Sequence, residues 1–244
     1  MFPQYSNGGS VVVEIMPESV DLRPLMPDVY NQLSEGSCTA NGICGLIQFM
    51  SMKQKLLDTR PRSRNFLYYN ERDMEGTVNS DAGAIIRDGI KSVNTLGVCF
   101  EDTWPYIPSQ FTWKPNDSAY VEAKQHPALV YKKIIQRGEL MRLCLSQGIP
   151  FTFGFTVYES FESQQTSQTG LMTMPGPQEK ILGGHCVDVA GYTTIGKFVP
   201  GIRHYICRNS WGKDWGDNGY FYMPEPFITN PNYCSDFWAI ELVK

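Results

Sequence analysis

Residues 30–50, "YNQLSEGSCTANGICGLIQFM", pass from a polar loop into an apolar helical pattern, and a cysteine stands at the junction. Apolar residues at helical spacing predict a helix over 38–58, with Pro61 just beyond its end. The free N–H groups and the dipole at a helix N-terminus favour an anion. A buried structural cysteine does not need that position, but a nucleophilic thiolate does. Cys38 is therefore the candidate nucleophile, and Gln32 lies in the loop before it.

The composition is that of a globular protein. The chain has 244 residues, 42% of them apolar, which is enough to bury a core as one large domain or two lobes. A net charge of −4 without a basic block argues against nucleic acid or an anionic membrane as the main partner. No apolar run approaches the roughly 20 residues of a transmembrane helix, and the first residues lack the pattern of a secretory signal.

The cysteines indicate neither a metal site nor a disulfide framework. They are seven, an odd number, so at least one thiol is unpaired or pairs between chains. No CxxC and no zinc-finger spacing of Cys and His occurs, so we predict no metal. Most lie in apolar runs and are expected to be small buried residues. This usage favours a reducing compartment.

Helical patterns dominate the first half of the chain. A second helix is predicted over 84–96, followed by Gly97 as the left-handed C-terminal residue. A short helix over 139–147 is expected to end at Gly148. The proline-rich residues 103–118 are predicted to form a loop.

Strand patterns dominate the second half. Aromatic and β-branched segments are separated there by Gly and Pro, and they lie at 150–158, 185–193, 203–210, 219–223 and 237–243. Helices followed by antiparallel-type strands indicate an α+β fold. The polar residues 162–180 are predicted to be an exposed loop. Residues 1–16 are expected to be a loose leader with one short strand, "VVVEI".

One of the three histidines is suited to activate a thiol. His126 lies in a polar turn and is predicted to be at the surface, and His204 enters a strand, where a structural role is expected. His185 follows two glycines that leave space before the ring, and a strand of small and apolar residues follows it. A neighbouring imidazolium lowers the pKa of a thiol by several units in the best cases.

The segment "RNSWGKDWGDNGYF", residues 208–221, supplies the third group. Asn209 follows His185 at a separation that allows a hairpin return to its side. An asparagine carbonyl that accepts from an imidazole N–H fixes the ring without adding charge beside a thiolate–imidazolium pair. Trp211 and Trp215 could cover that hydrogen bond from water.

These segments resemble the papain family of cysteine peptidases, in particular a compact microbial or viral branch. The matching pieces are "NQLSEGSCTANGI", "GGHCVDVAGY" and "RNSWGKDWGDNGYF", with weaker similarity from residue 20 to the end. The separation of Cys38 and His185 agrees with the family spacing, while Asn209 lies somewhat beyond it.

The resemblance implies a role for each catalytic candidate. Cys38 is implied as the nucleophile, His185 as its general base and acid, and Asn209 as the residue that orients the imidazole. Gln32 is implied to form the oxyanion hole together with the backbone N–H of Cys38. Trp211 is implied to shield the bond between His185 and Asn209.

The resemblance also implies a substrate-binding group. Gly36, Gly83 and Gly184 match positions where the substrate backbone passes close, and Trp211 is grouped with them. The expected partner is a peptide or protein substrate, with no nucleic acid, no membrane, no metal and no organic cofactor, and a monomer is the default.

The implied architecture is papain-like and two-lobed. A helical lobe over 17–127 carries the nucleophile, and an antiparallel, β-barrel-like lobe over 128–244 carries the histidine and asparagine. The active site lies in the cleft between them. Residues 1–16 form an extension that could cover the cleft or be an inert tail.

The sequence departs from the family pattern beside the nucleophile. The family usually has Gly-Ser-Cys-Trp with a nearby disulfide cysteine, whereas here Thr39 follows Cys38, and Glu35 stands at the expected cysteine. The departure favours a reducing, intracellular or virion-associated setting. Two other functions remain open: a catalytically silent peptide-binding protein of the same fold, and a thiol acyltransferase of the transglutaminase-like kind.

Overall fold

The computed structural model describes residues 16–194 and 201–244. The predicted leader over 1–16, with its short strand, therefore lies outside the described residues except for Met16. The described part is an α+β fold, as predicted.

Seven α-helices and two short 3₁₀ helices form in the described residues. The α-helices are α1 (Cys38–Lys53), α2 (Arg64–Glu75), α3 (Ile86–Thr95), α4 (Asp117–Ala123), α5 (Gly138–Ser146), α6 (Gln164–Thr169) and α7 (Glu225–Ile228). The 3₁₀ helices are Arg23–Leu25 and Pro108–Gln110.

One antiparallel sheet holds the seven strands found in residues 16–194 and 201–244. They are β1 (Val20–Asp21), β2 (Ala128–Lys133), β3 (Phe151–Tyr158), β4 (Ile181–Thr193), β5 (His204–Arg208), β6 (Tyr220–Pro224) and β7 (Cys234–Val243). Their order is β2-β7-β3-β4-β5-β6, with β1 paired to β4. In the described ranges β2 and β6 do not pair with each other, so the sheet is open and is not a closed barrel.

Helix α1 lies between the other N-terminal helices and the sheet. It contacts α2 and α3 on one side and β3, β4 and β7 on the other. Most of its residues are therefore buried, and its sequence is apolar on nearly all sides. A second apolar core fills the opposite face of the sheet, around β3, β4 and α7. This packing holds the first residue of α1 against the middle of β4.

Three predicted helices are present, with changed boundaries. Helix α1 ends at Lys53, five residues before the predicted end at 58, and Lys55 has a left-handed φ of 55°. Gly97 and Gly148 have φ of 75° and 71°, as expected for residues that follow α3 and α5.

Two loop predictions are wrong in part. The predicted loop 162–180 contains α6, because the Ser163 side chain accepts a hydrogen bond from the Thr166 N–H, and Thr166 is buried. The predicted loop 103–118 contains a 3₁₀ helix and the first residues of α4, which Asn116 caps in the same way.

Candidate active site

Cys38 is the first residue of α1, where the sequence analysis placed it. The turn before it is fixed by Asn41, whose backbone N–H and side-chain amide both donate to the Ser37 carbonyl, at 3.0 and 2.8 Å. The next side chain, Thr39, donates to the Glu71 carboxyl at 2.8 Å. The thiol of Cys38 is partly buried, whereas Thr39 points into the core.

His185 and Asn209 are joined by a hydrogen bond. The distance from His185 Nε2 to Asn209 Oδ1 is 2.8 Å, and the same oxygen accepts from the Ser210 N–H at 2.8 Å. Because Oδ1 can only accept, Nε2 carries the proton. In the neutral ring Nδ1 is then an acceptor and is the nitrogen that can take a proton from a thiol.

Aromatic rings shield this hydrogen bond from water. Trp211 stacks on the His185 ring, with 5.0 Å between centroids and 30° between planes. Phe161 and Trp215 pack on Trp211 at 5.5 and 5.2 Å. Asn209 is 1% exposed as a result. Trp211 is partly exposed and is not among the residues that line the cleft of Cys38 and His185.

Gln32 is buried and is held through its side-chain amide. Its Oε1 accepts from the Ser210 hydroxyl at 2.6 Å, and Nε2 donates to the Glu35 carbonyl at 2.9 Å. The backbone N–H of Gln32 also donates to the Ser210 carbonyl at 2.8 Å. An amide nitrogen has two hydrogens, so one N–H of Nε2 remains for another acceptor.

Cys38 and His185 line one cleft of about 460 Å³. Gly83 and Gly184 line it too. A Cβ on Gly184 would meet no atom within 4 Å, so the strand edge there is open. Gly36 does not line this cleft. Its N–H donates to the Asp81 carboxylate at 2.9 Å, which ties its loop to the loop of Gly83.

Most of the sequence matches one protein family. The family model described as papain family cysteine protease matches residues 16–235. The chain belongs to the papain family of cysteine proteases.

Viral and bacterial relatives resemble this papain-family chain over most of its length. An uncharacterized peptidase C1-like protein of Acanthamoeba polyphaga mimivirus is 40% identical over 91% of this chain and 74% of its own length. The crystal structure of xylellain, a cysteine protease from Xylella fastidiosa, is 39% identical, with a TM-score of 0.87 over 94% of this chain and 87% of that one. Bromelain from Ananas comosus shares the fold, with a TM-score of 0.63 and 19% identity. That alignment covers 85% of this chain and 89% of the bromelain chain.

In this papain-family site, burial disfavours the charged forms of both Cys38 and His185. It raises the pKa of the Cys38 thiol to about 11, although the backbone N–H of Cys186 stabilises the thiolate and lowers this pKa. It lowers the pKa of His185 to about 4, against the hydrogen bond to Asn209. Each group alone is therefore neutral near pH 7. A thiolate–imidazolium pair forms only if mutual attraction and the α1 dipole offset desolvation.

The two other histidines lie outside the cleft. The ring of His126 packs on Phe100 at 4.7 Å and is half-buried. His204 is buried, and its Nδ1 lies 3.1 Å from the Ile202 carbonyl. Within residues 16–194 and 201–244 no cluster of His, Cys, Asp and Glu could hold a metal ion. All seven cysteines are free, and no described helix is long and apolar enough to cross a membrane.

Two buried acids, Glu71 and Asp188, lie beneath the site and were not predicted from the sequence. Glu71 is fully buried against Thr39, and burial raises the pKa of its carboxyl to about 8. Asp188 lies opposite Arg208 on β4 and β5, with 3.5 Å between Oδ2 and Nη1. No local pattern marks either acid, because each of these contacts joins two distant segments of the chain.

The Asp188–Arg208 pair explains the glycines of α1. A Cβ on Gly45 would lie 2.5 Å from Nη1 of Arg208, and one on Gly42 would lie 3.0 Å from Oδ1 of Asp188. The helix can therefore approach β4 closely only because both positions lack side chains. That approach brings Cys38 to the strand that carries His185.

Glu35 occupies a buried position beside the hydroxyl groups of Ser37 and Tyr106. Its side chain is almost fully buried, and burial raises the pKa of its carboxyl. The family cysteine expected there is replaced by a group that cannot form a disulfide. The ion–dipole contact of Gly36 with Asp81 connects the two loops in this protein.

Proposed function

We propose that this protein hydrolyses peptide bonds through a thioester acyl-enzyme. The observation that carries the proposal is the arrangement of three groups: Cys38 and His185 face one cleft, and Asn209 holds the imidazole so that Nδ1 is its free acceptor. A thiol beside an oriented base is the arrangement that nucleophilic catalysis requires.

The proposed reaction proceeds in two halves. The Cys38 thiolate adds to the scissile carbonyl while His185 Nδ1 holds the proton. The oxyanion is stabilised by the remaining N–H of Gln32 and by the backbone N–H of Cys38. His185 then gives its proton to the departing amine, and a thioester remains on Cys38. In the second half His185 takes a proton from water, whose oxygen attacks the thioester carbonyl. The C–S bond then breaks, the carboxylic acid leaves, and the Cys38 thiolate and protonated His185 are restored.

The decisive test is the alkylation of each cysteine by iodoacetamide at about pH 5.5, where an ordinary thiol is almost wholly protonated. If Cys38 titrated alone with a pKa of about 11, fewer than about one thiol in 10⁵ would be ionised at that pH. We expect fast labelling of Cys38, lost in His185→Ala. Cys144, also partly exposed, is the internal control.

Labelling of Cys38 no faster than that of Cys144 would favour the silent, peptide-binding alternative, which the opposed burial effects on Cys38 and His185 support. Product analysis separates hydrolysis from acyl transfer, since hydrolysis yields a free carboxylate and transfer yields a new amide. Repeating the labelling after deletion of residues 1–16 tests whether this extension covers the cleft or is an inert tail.

We also propose a division into a helical lobe over 17–127 and a β-rich lobe over 128–244. A reducing, intracellular or virion-associated setting is proposed as well. The viral relative supports that setting. Limited proteolysis tests the lobe boundary near residue 127, where a cut is expected if few contacts cross it.

A further inference from the structure

A second cavity lies outside the cleft of the candidate active site. It has a volume of about 270 Å³, it lies between α5 and the strands β2 and β7, and it shares no lining residue with the cleft of Cys38 and His185. The volume is close to the lower end of the range for small-molecule sites. Its wall is mainly apolar and is formed by Ile134, Ile135, Leu140, Leu143, Cys144 and Ile149.

Helix α5 has two apolar faces, and only one of them is fully buried. Met141 and Leu145 lie in the second apolar core and are 0% exposed. Leu140, Leu143 and Cys144 have the spacing of one helix face beside that core, and each is only partly buried. The described residues therefore leave part of this second apolar face, which forms one wall of the cavity, open to a ligand.

The polar groups of the wall are already paired. The Cys144 thiol donates to the Ile149 carbonyl at 3.4 Å, and the Ile149 N–H donates to the Cys144 carbonyl at 3.1 Å. The N–H of Ile134 donates to the Phe237 carbonyl at 2.9 Å. A peptide segment would bring N–H and C=O groups that need partners, whereas a hydrocarbon chain needs none. The wall therefore favours a hydrocarbon chain.

The margin of the cavity carries positive charge. Lys132 is paired with Glu241 across the cavity lining, with 2.7 Å between Nζ and Oε2. Lys133 also lines the cavity, is exposed, and forms no ion pair within residues 16–194 and 201–244. Lys53 donates to the carbonyl of Gln147, another lining residue, at 3.3 Å and has no carboxylate partner in the same ranges. A ligand with one anionic end complements this margin.

We propose that this cavity binds a free fatty acid, with its hydrocarbon chain on the second face of α5 and its carboxylate on Lys133. The small volume favours a single unbranched chain, and an ammonium–carboxylate contact is a charge-assisted hydrogen bond. This site is separate from the proposed peptidase function and does not depend on it.

The first experiment uses the unaltered protein and saturated fatty acids below the concentrations at which micelles form. Binding is measured as protection of Cys144 from iodoacetamide at about pH 9, read by mass spectrometry, because burial raises the pKa of this thiol to about 12. For chains of about six to fourteen carbons we expect affinity to rise about fourfold per methylene and then to level off when the cavity is full. Labelling of Cys38 in the same samples should not change.

The charged end is tested with alcohols and with two variants. The primary alcohol of each length should bind about tenfold more weakly than the acid, because its hydrogen bond is not charge-assisted. Lys133→Gln should weaken the acid by the same factor and leave the alcohol unchanged. Lys114→Gln makes the same change of net charge at an exposed residue outside the cavity and should bind like the wild type. Equal binding of acid and alcohol, or an unaltered acid affinity in Lys133→Gln, refutes the proposal.

Other occupants of the cavity give different results. Protection of Cys144 by phosphatidylglycerol vesicles, without protection by any free fatty acid, would overturn the proposal in favour of a membrane surface. Protection that increases with protein concentration in the absence of any ligand would overturn it in favour of a second copy of the chain. Equal protection of Cys38 and Cys144 by the acids would show that the binding is not specific to this cavity.

Discussion

Replacing Gln32 by alanine tests the proposed oxyanion hole. The substitution removes a side chain that is 7% exposed and makes two hydrogen bonds, to Ser210 and to the Glu35 carbonyl. One lost donor to an oxyanion costs about 2.7–4 kcal/mol of transition-state stabilisation, so kcat is expected to fall by about 10²–10³. The Ser210 hydroxyl is left unsatisfied at about 1–3 kcal/mol of folding stability, which lowers Tm by about 2–12 °C.

The assay combines turnover of a fluorogenic peptide with iodoacetamide labelling of Cys38 and a thermal melt. Labelling should be unchanged in Gln32→Ala, because the amide acts on the carbonyl oxygen and not on the thiolate. Ser210→Ala is the matched control, since it keeps the amide and removes only its tether, and a smaller loss of kcat is expected. A loss of labelling equal to the loss of turnover, or a loss of kcat below about fivefold in a folded variant, would refute this reasoning.

Three further predictions concern stability and titration. Gly97→Ala should destabilise the fold by at least about 2 kcal/mol more than Gly76→Ala in urea unfolding, because both have positive φ but only at Gly97 would a Cβ clash, at 1.7 Å from a carbonyl oxygen. Equal losses would contradict this. The raised pKa of Glu71, about 8 against an ordinary 4.5, gives stability that is present below pH 4.5 and is lost as the pH rises through about 8. Relative to Glu71→Gln, the wild type should therefore lose on the order of 5 kcal/mol across that range in pH-dependent unfolding, and a flat difference would show that Glu71 is not desolvated. Trp211→Ala admits water, so the pKa of His185 should rise from about 4 towards 6.5 in an NMR titration, and an unmoved titration would show that the ring is shielded by other groups.

The strands of the second half could be predicted because their segments are rich in aromatic and β-branched residues. All five predicted segments overlap β3 to β7, where aromatic and β-branched residues face the two cores. The predicted start of β4, at residue 185, is four residues late. Residues 181–184 are exposed and include two glycines, so they do not show a strand pattern. Strand β2 has no such pattern and is defined by its pairing with β7.

Helix α2 could not be predicted from an apolar pattern, because much of its buried surface is polar. Arg72 is buried, and its guanidinium donates to the carbonyls of Val78, Ser80 and Phe111. Those acceptors belong to loops whose positions only the folded chain defines. The signal that was available was local: Ser63 caps the helix, and Gly76 ends it in a left-handed conformation.

The candidate catalytic residues could be predicted from the sequence, but the contacts that hold them in place could not. Cys38, His185 and Asn209 occur in short segments whose residue types are typical of nucleophilic catalysis, and the structure brings all three to one place. Gly36, expected at the substrate, also lies at a contact between two loops, where its N–H donates to Asp81. The roles assigned to these residues stay predictions until the labelling is done.

The hydrogen bond between Ser210 and Gln32 joins residues that are 178 positions apart. A ribosome adds about 5–20 residues per second, so roughly 10–35 s pass between the synthesis of the two. For most of that time the cysteine already exists, but neither its histidine nor the segment that holds the glutamine amide has been made. A nascent or truncated chain therefore lacks the complete constellation, so the proposed peptidase activity would be absent from this chain until its last segments are made.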